Sequence, residues 1–79
     1  MSMLRLQFGR RLRQLRRNRD LTQDQLAEAT GLSVDLISNM ERGVNAPSFA
    51  SLELLSAALN VSVADLFTFA EDNSSDRKD

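Results

Sequence analysis

Apolar residues recur every three or four positions along most of the chain, which is the spacing of amphipathic helices and not of strands. The first such segment spans roughly residues 3–18, and its apolar arc consists of Leu4, Phe8, Leu12 and Leu15. The opposite side of this predicted helix carries Arg10, Arg13 and Arg17. Arg16 borders the apolar arc, where its aliphatic stem can lie against a core. We expect the arc to face inward and the three opposite arginines to be solvated.

A capping signal begins the second predicted helix. The hydroxyl of Thr22 can accept from a backbone amide near Gln25, while the Gln25 side chain reaches back to the amide of Thr22. The helix then runs over residues 23–30, and Gly31 supplies the left-handed residue that ends it.

A third helix follows almost at once. Ser33 caps it, it runs over about residues 34–42, and Gly43 ends it. Two short helices joined by a three-residue turn that contains a glycine form a helix-turn-helix.

Two further helices complete the predicted fold. Ser48 caps a fourth helix that ends at Leu59, with one apolar side made of Phe49, Leu52, Leu55 and Leu59. Asn60 stands where a left-handed residue is expected, and a cap at Ser62 opens a short fifth helix to about Phe69. Residues 71–79 are charged and polar, which predicts a disordered tail. We therefore expect an all-α domain of five helices over residues 3–70.

Composition restricts the chemistry that the chain can perform. It has no Cys, His, Trp or Tyr, which excludes disulfides, thiolate or histidine metal sites and histidine-dependent nucleophiles. No cofactor, metal or small-molecule ligand is predicted, and no signal peptide or membrane span is evident. We expect a soluble, cytoplasmic protein associated with the nucleoid. A core this small also favours self-association as a source of added burial.

The formal net charge of −1 conceals a strong asymmetry. Residues 1–19 contain seven arginines and no Asp or Glu, whereas residues 20–70 contain seven acids and one arginine. A phosphate backbone interacts with the charge of the surface that it contacts and not with the average charge of the protein. The arginine density predicts either contacts to a nucleic-acid backbone or a solvated helix face.

On a helical wheel, the residues of the third predicted helix divide between two faces. Leu36, Ile37 and Met40 lie on one side and must pack inward. The other side consists of Val34, Asp35, Ser38, Asn39 and Arg42. Asn39 suits a bidentate pair with adenine and Val34 suits a thymine methyl in a major groove, although an ordinary solvated face has the same polarity. Asp35 either favours the positive helix end or accepts from cytosine.

The residues also resemble a known family, the lambda-repressor-like, Xre-type helix-turn-helix regulators. The resemblance rests on LTQDQLAEATGLSVDLISNMERG at residues 21–43 and NAPS at residues 45–48. The flanks FGRRLRQLR at residues 8–16 and LNVSVADLF at residues 59–67 agree with it. It covers about residues 6–67, nearly the whole chain.

The resemblance implies a five-helix DNA-binding domain whose third helix enters the major groove. The positions that it assigns to base reading are Ser33, Val34, Asp35, Ser38 and Asn39. The positions that it assigns to the phosphate backbone include Gln23, Arg42 and Asn45, and we add Arg16 as a further neutralising charge. It also implies an ion pair between Arg16 and Glu41 that ties the first helix to the third.

Single-domain members of this family, including restriction–modification controller proteins and small phage repressors, often pair through their C-terminal end. Position 54 is Leu where these proteins often carry a charge, and Phe67 and Phe69 follow near the end of the domain. We predict a homodimer interface at Leu54, Phe67 and Phe69, with DNA half-sites about 34 Å apart. The alternative is that the two phenylalanines cover the core of the monomer.

These observations favour a sequence-specific, double-stranded DNA-binding transcriptional regulator without enzymatic chemistry. The alternative is an antitoxin-like or other protein-interaction module that also binds DNA, although the polar tail offers no apolar anchor. An enzyme is least favoured, because an acid pair such as Asp24 and Glu28 is typical of a solvated helix face.

Overall fold

Five helices follow one another in the computed structural model, which describes residues 3–69. They are α1 (Met3–Asn18), α2 (Gln23–Thr30), α3 (Val34–Glu41), α4 (Phe49–Leu59) and α5 (Val63–Leu66). The all-α prediction is confirmed. Helix α3 ends one residue before the predicted boundary at Arg42, and α5 ends at Leu66 and not at Phe69. The predicted tail, residues 71–79, lies outside the described residues.

Side-chain caps define where the short helices begin. Thr22 Oγ1 accepts from the amide of Gln25 at 3.1 Å, and Gln25 Oε1 accepts from the amide of Thr22 at 2.9 Å. Ser62 and Asp65 form the same reciprocal pair at the start of α5. Each pair satisfies two amide donors that a helix N-terminus otherwise leaves without partners. Both capping boxes are therefore present where the sequence predicts them.

Left-handed residues follow four of the helices. Gly31 follows α2 with φ of 79°, Gly43 follows α3 with φ of 79°, and Asn60 follows α4 with φ of 56°, all at the predicted positions. Asp20 follows α1 with φ of 58°, a role that the sequence analysis does not assign. Asn and Asp are the non-glycine residues that tolerate this conformation best, because their short side chains bond locally.

The core lies where the five helices converge. Its largest fully buried side chains are Phe8, Leu12, Leu26, Ile37, Met40, Leu55, Leu59 and Leu66. Burying each such side chain stabilises the fold by roughly 1.5–3 kcal/mol relative to leaving it in water. These residues come from all five helices, so the core holds α2 and α3 in a fixed mutual orientation.

Two residues assigned to the apolar faces are instead exposed. Leu4 is 52% exposed, because it lies in the first turn of α1, at the rim of the groove between α1 and α4. Phe49 is 87% exposed. At about 100° per residue, Phe49 lies nearly a quarter turn from the mean direction of the three leucines of α4, so it falls outside their arc.

A close approach of two backbones holds α1 against α3. A Cβ atom placed on Gly9 would lie 2.5 Å from the carbonyl oxygens of both Met40 and Glu41. Only glycine lets the two chains come this near without a clash. Gly9 therefore fixes the position of the C-terminal end of α3 relative to α1.

Candidate nucleic-acid interface

The turn between α2 and α3 is held by hydrogen bonds at both ends. Thr30 Oγ1 donates to the carbonyl of Leu26 at 2.8 Å and accepts from the amide of Leu32 at 3.2 Å. Ser33 Oγ accepts from the amide of Leu36 at 3.0 Å and so caps α3. These local bonds, with the left-handed Gly31 between them, set the angle at which α3 leaves α2.

Helix α3 presents one buried face and one open face. Ile37 and Met40 are completely buried against the core. Among the positions expected to read bases, Ser33, Val34 and Asp35 are exposed, and Ser38 and Asn39 are half-buried. Val34 is 38% exposed although it is apolar. The structure thus leaves this group of side chains together on the outer face of α3.

Asn39 and Arg42 act as a unit at the end of this face. Arg42 Nη2 donates to Asn39 Oδ1 at 2.6 Å. The amide oxygen has a second lone pair and the amide nitrogen two hydrogens, so Asn39 retains the groups that a bidentate adenine contact requires. The carbonyl of Asn39 accepts from the amides of Val44 and Asn45, at 2.8 and 3.3 Å. This arrangement attaches the loop after α3 directly to its outer face.

An ion pair inside the protein connects α1 to α3. Arg16 Nε donates to Glu41 Oε2 at 2.6 Å, and Arg16 Nη2 donates to Glu41 Oε1 at 3.1 Å. Arg16 Nη1 also donates to the carbonyl of Leu21 at 2.7 Å. The two side chains meet as the family resemblance implies, and both are buried. A bidentate pair of this kind fixes geometry as well as charge.

The pair is charged on both sides. Burial opposes ionisation of Glu41, but hydrogen bonds from Arg16 and Gln23, the charge of Arg16 and a weaker bond from Arg13 hold its pKa below the ordinary value. Hydrogen bonding to Glu41 raises the pKa of Arg16, against the opposing effect of burial. Both shifts stabilise the ion pair at neutral pH.

The residues expected to contact phosphate divide into two groups. Arg42 and Asn45 are exposed near the end of α3. Gln23 is half-buried at the start of α2, and its Nε2 donates to Glu41 Oε1 at 3.0 Å. Arg16 is the exception: the structure assigns its guanidinium to Glu41 and Leu21, so it is a structural residue and is not positioned to neutralise DNA.

Arg13 lies at a position that differs from the solvated one expected from the sequence. Its Nε lies 3.5 Å from Glu41 Oε1, while its side chain remains 42% exposed. Arg13 precedes Arg16 by three residues, and residues at that spacing are neighbours on a helix surface. That spacing is the signal in the sequence that places Arg13 beside the ion pair and not on the far side of α1.

The residues predicted to form the dimer interface are placed differently from one another. Leu54 is exposed on α4. Phe67 is half-buried with its ring centroid 5.3 Å from that of Phe8, and Phe69 is buried with its ring 6.3 Å from Phe67. Both phenylalanines therefore contribute to the fold of the single chain. For Phe69 this is a correction, because a side chain buried within one protomer cannot also form an exposed patch.

Two other kinds of site are not found in residues 3–69. This part of the chain has no helix that is both long enough and apolar enough to cross a membrane. It also contains no cluster of three or more acidic side chains that could hold a metal ion.

Comparison with known proteins identifies the family. The helix-turn-helix family model HTH_3 matches residues 12–66, which covers α2, the turn, α3, α4 and α5. The chain belongs to this family of helix-turn-helix transcriptional regulators, which bind DNA.

The chain is similar to several regulators. It is 42% identical over 84% of its length to a competence pilus inhibition repressor of Acinetobacter baylyi, and the match spans 60% of that protein. It is 37% identical over 84% of its length to the control protein C.BamHI of Bacillus amyloliquefaciens, of which it covers 83%. The crystal structure of the restriction-modification controller protein C.AhdI from Aeromonas hydrophila superimposes with a TM-score of 0.78. That likeness has 35% identity and covers 80% of this chain and 96% of C.AhdI. These relatives are regulators and not enzymes.

Proposed function

We propose that this protein is a transcriptional regulator that binds a specific double-stranded operator as a homodimer, with α3 of each protomer in the major groove. The observation that carries the proposal is the outer face of α3. Its five polar or small side chains stay accessible while Ile37 and Met40 on the opposite side are fully buried. A major groove about 12 Å wide admits such a helix.

We assign base reading to Ser33, Val34, Asp35, Ser38 and Asn39. Asn39 is the strongest of these, because an Asn side chain donates to adenine N7 and accepts from N6 at once. Val34 contacts a thymine methyl, and Asp35 accepts from cytosine N4 or excludes a wrong register. The hydrogen bond from Arg42 supports this assignment, since it reduces the rotamer freedom of Asn39 before DNA arrives.

We assign positioning on the phosphate backbone to Gln23, Arg42 and Asn45. The N-terminal amides of α2 add partial positive charge beside Gln23. Glu41 neutralises Arg16 within the protein, so it is structural, and its burial keeps a negative charge away from the phosphates. Such contacts set the orientation of the protein on the duplex but carry no sequence information directly.

The homodimer proposal rests on Leu54 and on the single-domain relatives of similar length. An exposed leucine on α4 gives an apolar contact that a two-fold axis can repeat on both protomers. Two recognition helices related in this way would read half-sites about 34 Å apart, one turn of the duplex. We expect Leu54→Asp to produce a folded monomer that binds a single half-site weakly.

Selection from random duplex DNA tests the proposal. We expect the protein to enrich a palindromic site and the logarithm of affinity to fall steeply with the logarithm of salt concentration. Asn39→Ala should cost about 1–3 kcal/mol on the selected site and little on random duplex. Arg42→Gln should weaken binding to both duplexes, and to the selected site more, because it also removes the bond that holds Asn39. Glu53→Gln, an exposed position on α4, is the control. Equal losses on both duplexes for Asn39→Ala would reject its role in base reading, and the absence of any enriched site would reject the function.

A further inference from the structure

A shallow groove on the outer side of α1 is lined by cationic and amide side chains. It has a volume of about 320 Å³ and is lined by Arg10, Arg13, Gln14, Arg17 and Asn18, which we call the arginine groove. These residues recur on one side of the helix, away from the buried Phe8 and Leu12. The groove lies outside the helix-turn-helix itself.

Counted over residues 3–69, the arginine groove carries a net positive charge. Helix α1 contains no acidic residue. Glu41 lies 3.5 Å from Arg13, but that carboxylate already accepts shorter bonds from Arg16 and Gln23. One carboxylate therefore faces two guanidinium groups and leaves a surplus of positive charge at Arg13. The side chain of Arg17 makes no hydrogen bond or ion pair with any residue from 3 to 69.

The groove is continuous with a phosphate site that we propose above. Arg13 and Gln23 both donate to Glu41 Oε1, at 3.5 and 3.0 Å, so their side chains converge on one point. From there the groove follows α1, and Arg13 to Arg17 spans about 6 Å at 1.5 Å per residue. One DNA strand carries about two phosphates over that rise. The spacing of the arginines thus matches a run of backbone and not a single anion.

A solubilising role alone does not account for this arrangement. Surfaces that serve solubility mix both signs of charge, whereas the acids of the described chain all lie outside α1. Among residues 3–69, the carboxylate beside the groove is that of Glu41, which is buried and neutralised by Arg16.

We propose that the arginine groove binds the phosphodiester backbone of duplex DNA beyond the contact made by Gln23. Arg13 and Arg17 then extend the footprint of the protein onto base pairs that flank the half-site. This inference rests on the proposed function, because it assumes that α2 and α3 approach the duplex. It adds affinity without adding sequence preference, since phosphate contacts are the same for every sequence.

Arg17→Gln is the direct test, because Arg17 has no partner within residues 3–69 whose loss would disturb the fold. Arg11→Gln is the matched control: it removes the same charge from the same helix, but Arg11 is bonded to the carbonyl of Asp65 and to Gln14, each at 2.8 Å. Salt-dependent affinity is measured on the selected site with long flanks, on the same site trimmed to its half-sites, and on a duplex of random sequence. Arg13→Gln combined with Arg17→Gln gives a second variant, and circular dichroism verifies that each is folded.

We expect Arg17→Gln to make the slope of log affinity against log salt shallower by about 0.9 on the flanked and random duplexes, and the double variant by about 1.8. The ratio of wild-type affinity to double-variant affinity should fall about tenfold between roughly 50 and 200 mM salt. On the trimmed site the variants should bind like wild type. An unchanged slope on the flanked duplex, or an equal change for Arg11→Gln, would overturn the proposal. If no site is enriched but the slope on random duplex still falls for Arg17→Gln alone, the groove is retained and the operator-binding function is rejected.

Discussion

Glu41→Gln is the substitution for which the structure makes the sharpest prediction. The change keeps the shape of the side chain but removes the charge that balances Arg16. The Arg16 guanidinium stays buried and loses two charge-assisted hydrogen bonds, at 2.6 and 3.1 Å. Glutamine can still accept one of them, and Arg16 keeps its bond to the carbonyl of Leu21. The variant therefore holds a buried cation without a counterion.

The expected loss is large for a chain of this length. Removing one partner of a buried ion pair costs about 3–5 kcal/mol of stability. Because Arg16 keeps some of its hydrogen bonds in the variant, we expect a loss near the lower end, about 3 kcal/mol. A domain of this size has a total stability of about 4–12 kcal/mol. Glu53→Gln, on the exposed surface of α4, should change stability by less than about 0.5 kcal/mol.

The pH dependence gives an independent check. Because the pKa of Glu41 is lowered in the folded state, the unfolded chain binds more protons in acid, and this part of the stability rises with pH. It is fully present above the unfolded pKa, about 4.3, and is lost as pH falls through the lower folded pKa. The difference in stability between wild type and Glu41→Gln should therefore shrink below about pH 4. The other acids are present in both proteins, so their contributions to this difference cancel.

Urea unfolding followed by the helical circular-dichroism signal measures both effects. It should be carried out at neutral pH and at several values down to about pH 2, with wild type, Glu41→Gln and Glu53→Gln compared at each. A loss below about 1 kcal/mol at neutral pH would show that the ion pair does not tie α1 to α3. A difference that stays constant into acid would show that the charge of Glu41 is not what stabilises the fold.

Three further predictions test the packing and the turns. Gly9→Ala should destabilise the fold by about 1–3 kcal/mol despite the better helix propensity of alanine, since its Cβ would lie 2.5 Å from two carbonyl oxygens; a rise in the urea midpoint would contradict this. Asn60→Ala should cost about 1 kcal/mol in thermal unfolding, because φ is 56°, and Asn60→Gly should be neutral or stabilising. If Asn60→Ala and Asn60→Gly have the same stability, the left-handed conformation is not the reason for asparagine at this position. Phe49→Ser should leave the unfolding free energy within about 0.5 kcal/mol, whereas Leu55→Ala should lose about 2–5 kcal/mol; a comparable loss for Phe49→Ser would mean that Phe49 is buried in solution.

Local signals in the sequence determined the helices and the open face of α3. The capping pairs at Thr22 and Ser62, and the left-handed residues Gly31 and Asn60, act over four residues or fewer and so can be read directly. The periodicity of α3 likewise separates Ile37 from its outer face. These features locate the helix-turn-helix and the residues expected to read bases.

Only the tertiary structure decided how α1 meets the other helices. It brought Arg13 beside the Arg16–Glu41 pair that the family resemblance implies, and it used Gly9 for the close approach of two backbones. It also buried Phe69, against its expected place in a dimer interface, and left Phe49 in solvent, against the expectation from its apolar character. Periodicity specifies which side of a helix is apolar. Which part of that side is covered depends on where a distant segment crosses it, and that crossing is set by long-range packing of the whole core.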